Sequence, residues 1–143
     1  MLKIQLMQSK TQPKALLEWR AGETVTTEQV KEYGEANCFR AEPVPDAIWQ
    51  RMQGKTYRRN PYIGRADLRH VRTLHWDYDD KIHIGELVCN KAIANDLLAI
   101  FQALYEARYP IRSIRLIDDF GGDDEASMRN DNTSCFNYRK KTG

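Results

Sequence analysis

Residues 71–89, with the sequence VRTLHWDYDDKIHIGELVC, decide the fold of this chain. Leu74 and Trp76 alternate with polar residues, which is the period of a strand that buries one face. Residues 77–81 are rich in turn formers, and apolar positions resume at Ile82. These patterns predict an antiparallel β-hairpin over residues 71–89.

The segment after the hairpin has the period of an amphipathic helix. Asn90 is a favourable N-cap, and Pro110 ends the helical hydrogen-bond ladder near Arg108. The apolar residues recur at helical intervals and form one stripe: Ile93, Leu97, Ile100, Phe101 and Leu104. We expect this helix to pack across the sheet.

The remaining segments complete an α+β fold. Residues 111–117 are mainly β-branched and apolar and predict a strand, residues 118–125 an acidic loop, and the polar tail 130–139 can add one more strand. Residues 1–44 carry one short helix signal, a Thr-x-x-Gln capping box that starts at Thr26, and otherwise predict an irregular N-terminal arm. The sequence thus predicts a small mixed or antiparallel sheet with a hairpin and one long packed helix.

Length and composition exclude several classes of protein. The chain has 143 residues, the size of one ordinary domain, and 41% hydrophobic with 29% charged residues is typical of a folded protein. It contains neither the roughly 20 apolar residues that span a bilayer nor a visible signal peptide. A net charge of +2 gives no general argument for a nucleic-acid partner. Three widely spaced cysteines predict neither a disulfide framework nor a zinc finger.

Three groups of polar residues are candidates for chemistry, each with a plainer interpretation that we favour. His75 and His83 face each other across the predicted hairpin and offer a metal pair, or are ordinary half-buried histidines. The acidic loop offers a cation site or a general base, or is a solvated turn with capping aspartates. The basic stretch 55–72, interleaved with tyrosines, suits single-stranded nucleic acid or a carboxylate-rich polymer, or is a solvated face.

Three further segments resemble a known family. They are KIHIGELVCNKAIA at residues 81–94, YPIRSIRLIDDF at residues 109–120, and DEASMRNDNTSCFNYR at residues 124–139. In this order they are similar to the amino-terminal part of the zinc peptidases of family M15, the D-alanyl-D-alanine carboxypeptidases and L-alanyl-D-glutamate endopeptidases of bacterial cell walls. The resemblance covers residues 45–143, and its most specific part is the Asn-Thr-Ser-x-Phe-Asn-x-Arg core.

The resemblance implies a role for each matching polar residue. Arg139 is expected to act in catalysis, because an arginine at this place in the family holds the substrate carboxylate or the developing oxyanion. A guanidinium suits that role, since it binds a carboxylate through two parallel hydrogen bonds. Asn132, Ser134 and Asn137 are expected to be secondary substrate contacts, and Asp118, at the end of the predicted strand, is a fourth.

Family members continue with histidine and aspartate segments that supply the zinc ligands, and these segments do not occur in this chain. We therefore expect a truncated zinc-dependent peptidoglycan peptidase that binds no zinc itself and is inactive as this chain, although intact homologues bind zinc. The alternative is a non-catalytic module that binds cell-wall peptide.

The resemblance also implies a cell-wall peptide as the partner and a location in the bacterial cell envelope or outside the cell. A nucleic-acid binder is a weaker third option. If core strands are missing, an unpaired sheet edge favours self-association.

Overall fold

A computed structural model describes residues 20–138 of the chain. Within this range the regular elements follow one another as β1 (Thr24–Val25), α1 (Thr27–Tyr33), β2 (Arg40–Pro43), α2 (Asp46–Met52), β3 (Leu68–Trp76), β4 (Ile82–Asn90), α3 (Ala94–Glu106), β5 (Ser113–Ile114), α4 (Asp124–Arg129) and β6 (Asn132–Thr133). Short 3-10 turns lie at Glu35–Cys38, Arg65–Asp67, Lys91–Ile93 and Ile117–Phe120. The α+β class expected from the sequence is confirmed.

The predicted hairpin is the centre of the main sheet. Strands β3 and β4 pair antiparallel over their full length, from Leu68 opposite Asn90 to Trp76 opposite Ile82. The strand order is β1-β4-β3-β2, and every pairing in it is antiparallel. Because β1 pairs with β4 only at His83 and Ile82, most of the outer edge of β4 is left to other segments.

Opposite faces of this sheet carry different apolar clusters, as strand alternation requires. The odd-numbered face, with Val71 and Leu87, packs against Phe101 of α3. On the even-numbered face, Leu68 packs with Met52 of α2. A further cluster on this face joins Leu74, Trp76, Ile82 and Ile84 to Val30 of α1 and to Phe39.

The helix after the hairpin forms with a shifted buried face. Asn90 caps the short 3-10 turn by accepting a hydrogen bond from the Ala92 amide (2.9 Å), and α3 then begins at Ala94. Its buried residues are Ala94, Phe101 and Tyr105, whereas Ile93 and Ile100 are 42% and 53% exposed. The predicted stripe was therefore wrong at Ile93, which lies in the 3-10 turn before α3, and at Ile100, because the buried side of α3 is the one that carries Phe101 and Tyr105, and Tyr105 packs on Phe39 and Trp76.

Two other segments also differ from the prediction. The strand expected over residues 111–117 is reduced to β5, which pairs parallel with β6, because the chain turns into the 3-10 segment Ile117–Phe120. Residues 20–44 are more regular than the expected arm. They supply both edge strands of the sheet, and α1 begins at the predicted capping box, with the Thr26 Oγ1 accepting from the Gln29 amide at 3.1 Å.

Gly85 marks the point where β5 crosses the sheet. A Cβ placed there would lie 2.9 Å from both the Ile114 Cβ and the Thr73 Cγ2, so only glycine fits. This close approach fixes β5, and the segment that follows it, against β4. Among the described residues, no helix is long and apolar enough to cross a membrane.

Candidate functional site

Residues 132–138, called here the carboxyl-terminal strip, contain most of the site candidates that the sequence singled out. The strip does not enter the core. Its side chains are exposed or half-buried, and two backbone hydrogen bonds anchor it, from the Phe136 amide to the Val88 carbonyl (3.0 Å) and from the Tyr138 amide to the Thr56 carbonyl (2.8 Å). The strip therefore lies at the surface beside β4.

Asn132, the first residue of the strip, forms several hydrogen bonds through its side-chain amide and is called here the hub. Its side-chain oxygen accepts from the Ser113 hydroxyl (2.7 Å) and from the Arg115 amide (2.9 Å). Its side-chain nitrogen donates to the Arg115 carbonyl (2.8 Å) and lies 3.1 Å from the Ser127 hydroxyl. Both ends of the amide are thus engaged by protein, and the arrangement clamps the backbone of Arg115 against the strip.

Asp118 lies inward of the strip and is buried. Burial raises the pKa of this carboxyl group, although hydrogen bonds from the Thr56 hydroxyl (2.8 Å) and amide (3.3 Å) oppose the increase. Because the carboxylate is tied to Thr56, which also anchors Tyr138, Asp118 supports the end of the strip from beneath.

The other two described candidates lie on the strip itself. Asn137 donates from its side-chain nitrogen to the Asp124 carboxylate at 2.9 Å. Ser134 lines a crevice of about 10 Å³ between the strip and residues 115–118, which has room for about one water molecule. Arg139, the expected catalytic residue, lies outside the described residues.

The structure reveals a connected row of ionisable side chains that the sequence analysis missed. We call it the charge chain: Arg72, Glu42, His70, Glu86, Arg51, Asp119 and Arg115. At its centre, His70 Nε2 lies 2.9 Å from Glu86 Oε2 and His70 Nδ1 lies 3.3 Å from Glu42 Oε1. His70 and Glu86 are each only 3% exposed. A carboxylate at position 86, within the stretch IGELVC of residues 84–89, was the available signal in the sequence.

The charge chain ends beside the strip. Asp119 accepts from Arg51 through one carboxylate oxygen and from Arg115 Nε at 3.1 Å through the other. The two arginine side chains remain 41% and 45% exposed. Arg115 also lines the crevice with Ser134. A shared carboxylate thus holds two partly exposed guanidinium groups, which are suited to bind an anionic group.

The histidines do not form a metal centre. His75 and His83 stack with ring centroids 5.5 Å apart, as their opposition in the hairpin predicts. However, His75 Nδ1 lies 2.8 Å from the Ile111 carbonyl oxygen, and His83 Nε2 lies 2.5 Å from Asp77 Oδ2. Among residues 20–138, no three His, Cys, Asp or Glu side chains form a group that could hold a metal ion. The described residues therefore do not fit a zinc site.

The acidic loop and the basic stretch are largely used by the fold. Asp123 caps α4 by accepting from the Glu125 amide (2.9 Å). In the basic stretch, Arg65 donates to the Val44 carbonyl (2.7 Å), and Arg69 donates to the carbonyl of Leu68 (2.8 Å). Asp123 thus has the predicted capping role, whereas Arg65 and Arg69 hold backbone carbonyls instead of lying on the solvated face that was expected; Arg58 and Arg59 are exposed.

Comparison with known proteins found no matching family model, no matching curated protein and no matching solved structure.

Proposed function

We propose that this chain supplies the substrate-carboxylate-binding side of a zinc-dependent peptidoglycan peptidase of the D,D-carboxypeptidase or L,D-endopeptidase kind, without hydrolytic activity of its own. Its partner in this proposal is a cell-wall peptide, and its place is the bacterial cell envelope. The carboxyl-terminal strip, Arg139 and Arg115 form the proposed binding surface.

The position of the strip is the observation that carries the proposal. A substrate-binding strip must lie at the surface and must also be held rigidly, because positioned groups bind and orient a ligand better than mobile ones. The strip meets both conditions, since its side chains are exposed or half-buried and its backbone is bonded to Val88 and Thr56. The last of these bonds is made by Tyr138, which directly precedes Arg139 in the sequence.

The charges beside the strip also support a carboxylate ligand. Asn132 holds the backbone of Arg115, and Asp119 orients the Arg115 guanidinium. Arg115 and Ser134 line the same crevice, so a ligand bound there would cost the Arg115 side chain little further conformational entropy. A peptide carboxylate needs such donors, and each charge-assisted hydrogen bond contributes about 1.5–3 kcal/mol. We therefore propose Arg115 as a further binding residue, in addition to those that the family resemblance implies.

Zinc, when bound in a peptidase of this kind, would activate water and polarise the scissile carbonyl. The described residues do not hold it, so the role proposed for this chain is to bind and orient the peptide. Arg139 and Arg115 would hold its terminal carboxylate, and the backbone of the strip would lie alongside it.

A binding measurement with a matched ligand pair tests the proposal. One peptide ends in D-alanyl-D-alanine with a free carboxylate, and the other is the same peptide with an amidated terminus. Calorimetric titration of the 143-residue chain is expected to show at least about tenfold weaker binding of the amidated peptide, the equivalent of one lost charge-assisted bond. Arg139→Ala should reduce this preference, because only Arg115 would remain to hold the carboxylate.

Arg129→Ala serves as the charge-matched control, because Arg129 is an exposed residue of α4 whose ion pair is with Glu125 in the same helix. It should leave the preference intact. Equal binding of both peptides to the unmodified chain, or an unchanged preference in Arg139→Ala, would overturn the proposal. Turnover of the peptide by the zinc-supplemented chain would show instead that the chain is itself an enzyme.

A further inference from the structure

A second surface feature lies at the far end of the hairpin from α2. It is a groove of about 360 Å³ formed by the hairpin turn, the connection after α3 and the start of the strip. Tyr78 and Tyr109 line it with Arg112, Asp131 and Thr133. Its volume falls in the range of about 300–1,000 Å³ that is usual for small-molecule sites.

The two tyrosines of the groove both present a largely exposed ring. Tyr78 is 69% exposed and Tyr109 is 59% exposed, yet they come from different segments and border the same groove. An aromatic ring offers a broad, rigid apolar surface together with a hydroxyl group, so it contacts a ligand at a low cost in conformational entropy. Two such rings on one groove suit a ligand that has a flat apolar face.

Polar groups line the groove together with the rings. The Arg112 guanidinium lies 6.0 Å from the centroid of the Tyr78 ring, and its Nε lies 3.3 Å from Asp131 Oδ2. The Asp131 carboxylate balances the positive charge of Arg112. The groove is therefore poorly suited to bind an anion. The pair instead offers a planar donor and an acceptor side by side, which is the complement of neighbouring hydroxyl groups.

The floor of the groove is held in place by the main sheet. The Ile111 amide donates to the Trp76 carbonyl at 2.8 Å, and His75 Nδ1 lies 2.8 Å from the Ile111 carbonyl oxygen. Asp131 is held at φ 51°, in the left-handed region that non-glycine residues rarely adopt. The groove is therefore preformed, and a ligand would bind with little reorganisation.

From these features we propose that the groove binds a saccharide. A pyranose ring has an apolar face of C–H groups that stacks on tyrosine and a rim of hydroxyl groups that pairs with Arg112, Asp131 and Thr133. A wholly apolar ligand would form no hydrogen bonds with Arg112 and Asp131, and a small anion would not contact the tyrosine rings. The groove shares Thr133 with the strip but uses neither Arg139 nor the charge chain, so saccharide binding here can be tested separately from the proposed function.

The test is a titration of the isotope-labelled 143-residue chain with a soluble N-acetylglucosamine tetramer, followed by amide NMR. We expect shifts confined to the residues around 78, 109–112 and 131–133, with a dissociation constant on the order of 1 mM. Tyr78→Ala and Tyr109→Ala should each weaken binding at least about fivefold, the loss of one stacked ring.

Tyr62→Ala is the matched control. Tyr62 is 85% exposed but does not line the groove, so its removal should leave the affinity unchanged. A cellulose-derived tetramer tests whether the acetamide groups contribute, since tighter binding of the N-acetylated sugar would assign them a contact in the groove. No shifts at about 10 mM of either sugar, or equal losses in all three tyrosine variants, would overturn the proposal.

Discussion

Replacement of Glu86 by leucine tests the energetic importance of the charge chain. The Glu86 side chain is 4% exposed and lies 2.9 Å from His70 Nε2, so Glu86→Leu leaves the buried imidazole without this partner. Leaving a buried polar group without its partner typically costs about 1–3 kcal/mol, against a total stability of about 5–15 kcal/mol for a domain. Arg51 adds little to this cost, because it is 41% exposed and keeps Asp119.

The measurement is urea denaturation with linear extrapolation to water, made on the single variants and on the double variant. In His70→Leu/Glu86→Leu no buried partner is left unpaired, since Glu42 keeps Arg72 and its side chain is 25% exposed. The double variant should therefore lose less free energy of unfolding than the sum of the two single losses. If Glu86→Leu proves too unstable to fold, Glu86→Gln should still lose about 0.5–1.5 kcal/mol. A loss below about 1 kcal/mol in Glu86→Leu, or strict additivity in the double variant, would refute the reasoning.

Four further predictions concern packing, the strip, pH and assembly. Gly85→Ala should lower the free energy of unfolding by about 1–3 kcal/mol, because its Cβ would collide with Ile114 and Thr73, whereas Gly64→Ala, with its nearest neighbour at 3.9 Å, should be nearly neutral in the same denaturation assay. Asn132→Ala should lose about 2–4 kcal/mol from its several hydrogen bonds, and an unchanged midpoint would show that it does not clamp Arg115. Burial lowers the pKa of His75 in the folded state, although the hydrogen bond to the Ile111 carbonyl opposes this decrease. Because the unfolded state then binds the proton more tightly, protonation below about pH 6.5 favours unfolding. The free energy of unfolding should thus fall as the pH is lowered from about 7.5 to about 5.5, and His75→Gln should flatten that slope. Sedimentation velocity should detect self-association of the chain, because the sheet ends in the edge strands β1 and β2 and because Ile100 and Met128 are exposed; a single monomeric boundary at high concentration would count against it.

The hairpin was predictable because its signals are local. Strand alternation, a turn rich in aspartate and a capping residue at Asn90 each depend on near neighbours in sequence, and all three appear in the structure. The buried face of α3 was not predictable in detail. It depends on Tyr105 meeting Phe39, which is far away in the sequence and comes from a segment that showed little periodicity.

The candidate site likewise has one part that local sequence reveals and another that depends on long-range contacts. The sequence singled out the strip through its polar motif, but the hub formed by Asn132 depends on β6 pairing with β5, which is a long-range event. The charge chain brings residues from five separate segments together, so no spacing rule along the chain reveals it. Glu86 alone gave a signal, as a carboxylate within the stretch IGELVC of residues 84–89.

The central claim is that the carboxyl-terminal strip forms a surface for a peptide carboxylate, and amide NMR tests it most directly. Titration of the 143-residue chain with a peptide ending in D-alanyl-D-alanine should shift resonances of residues 134–139 and Arg115, and the amidated peptide should not. Shifts that are absent, or that cluster away from the strip for both peptides, would contradict the account.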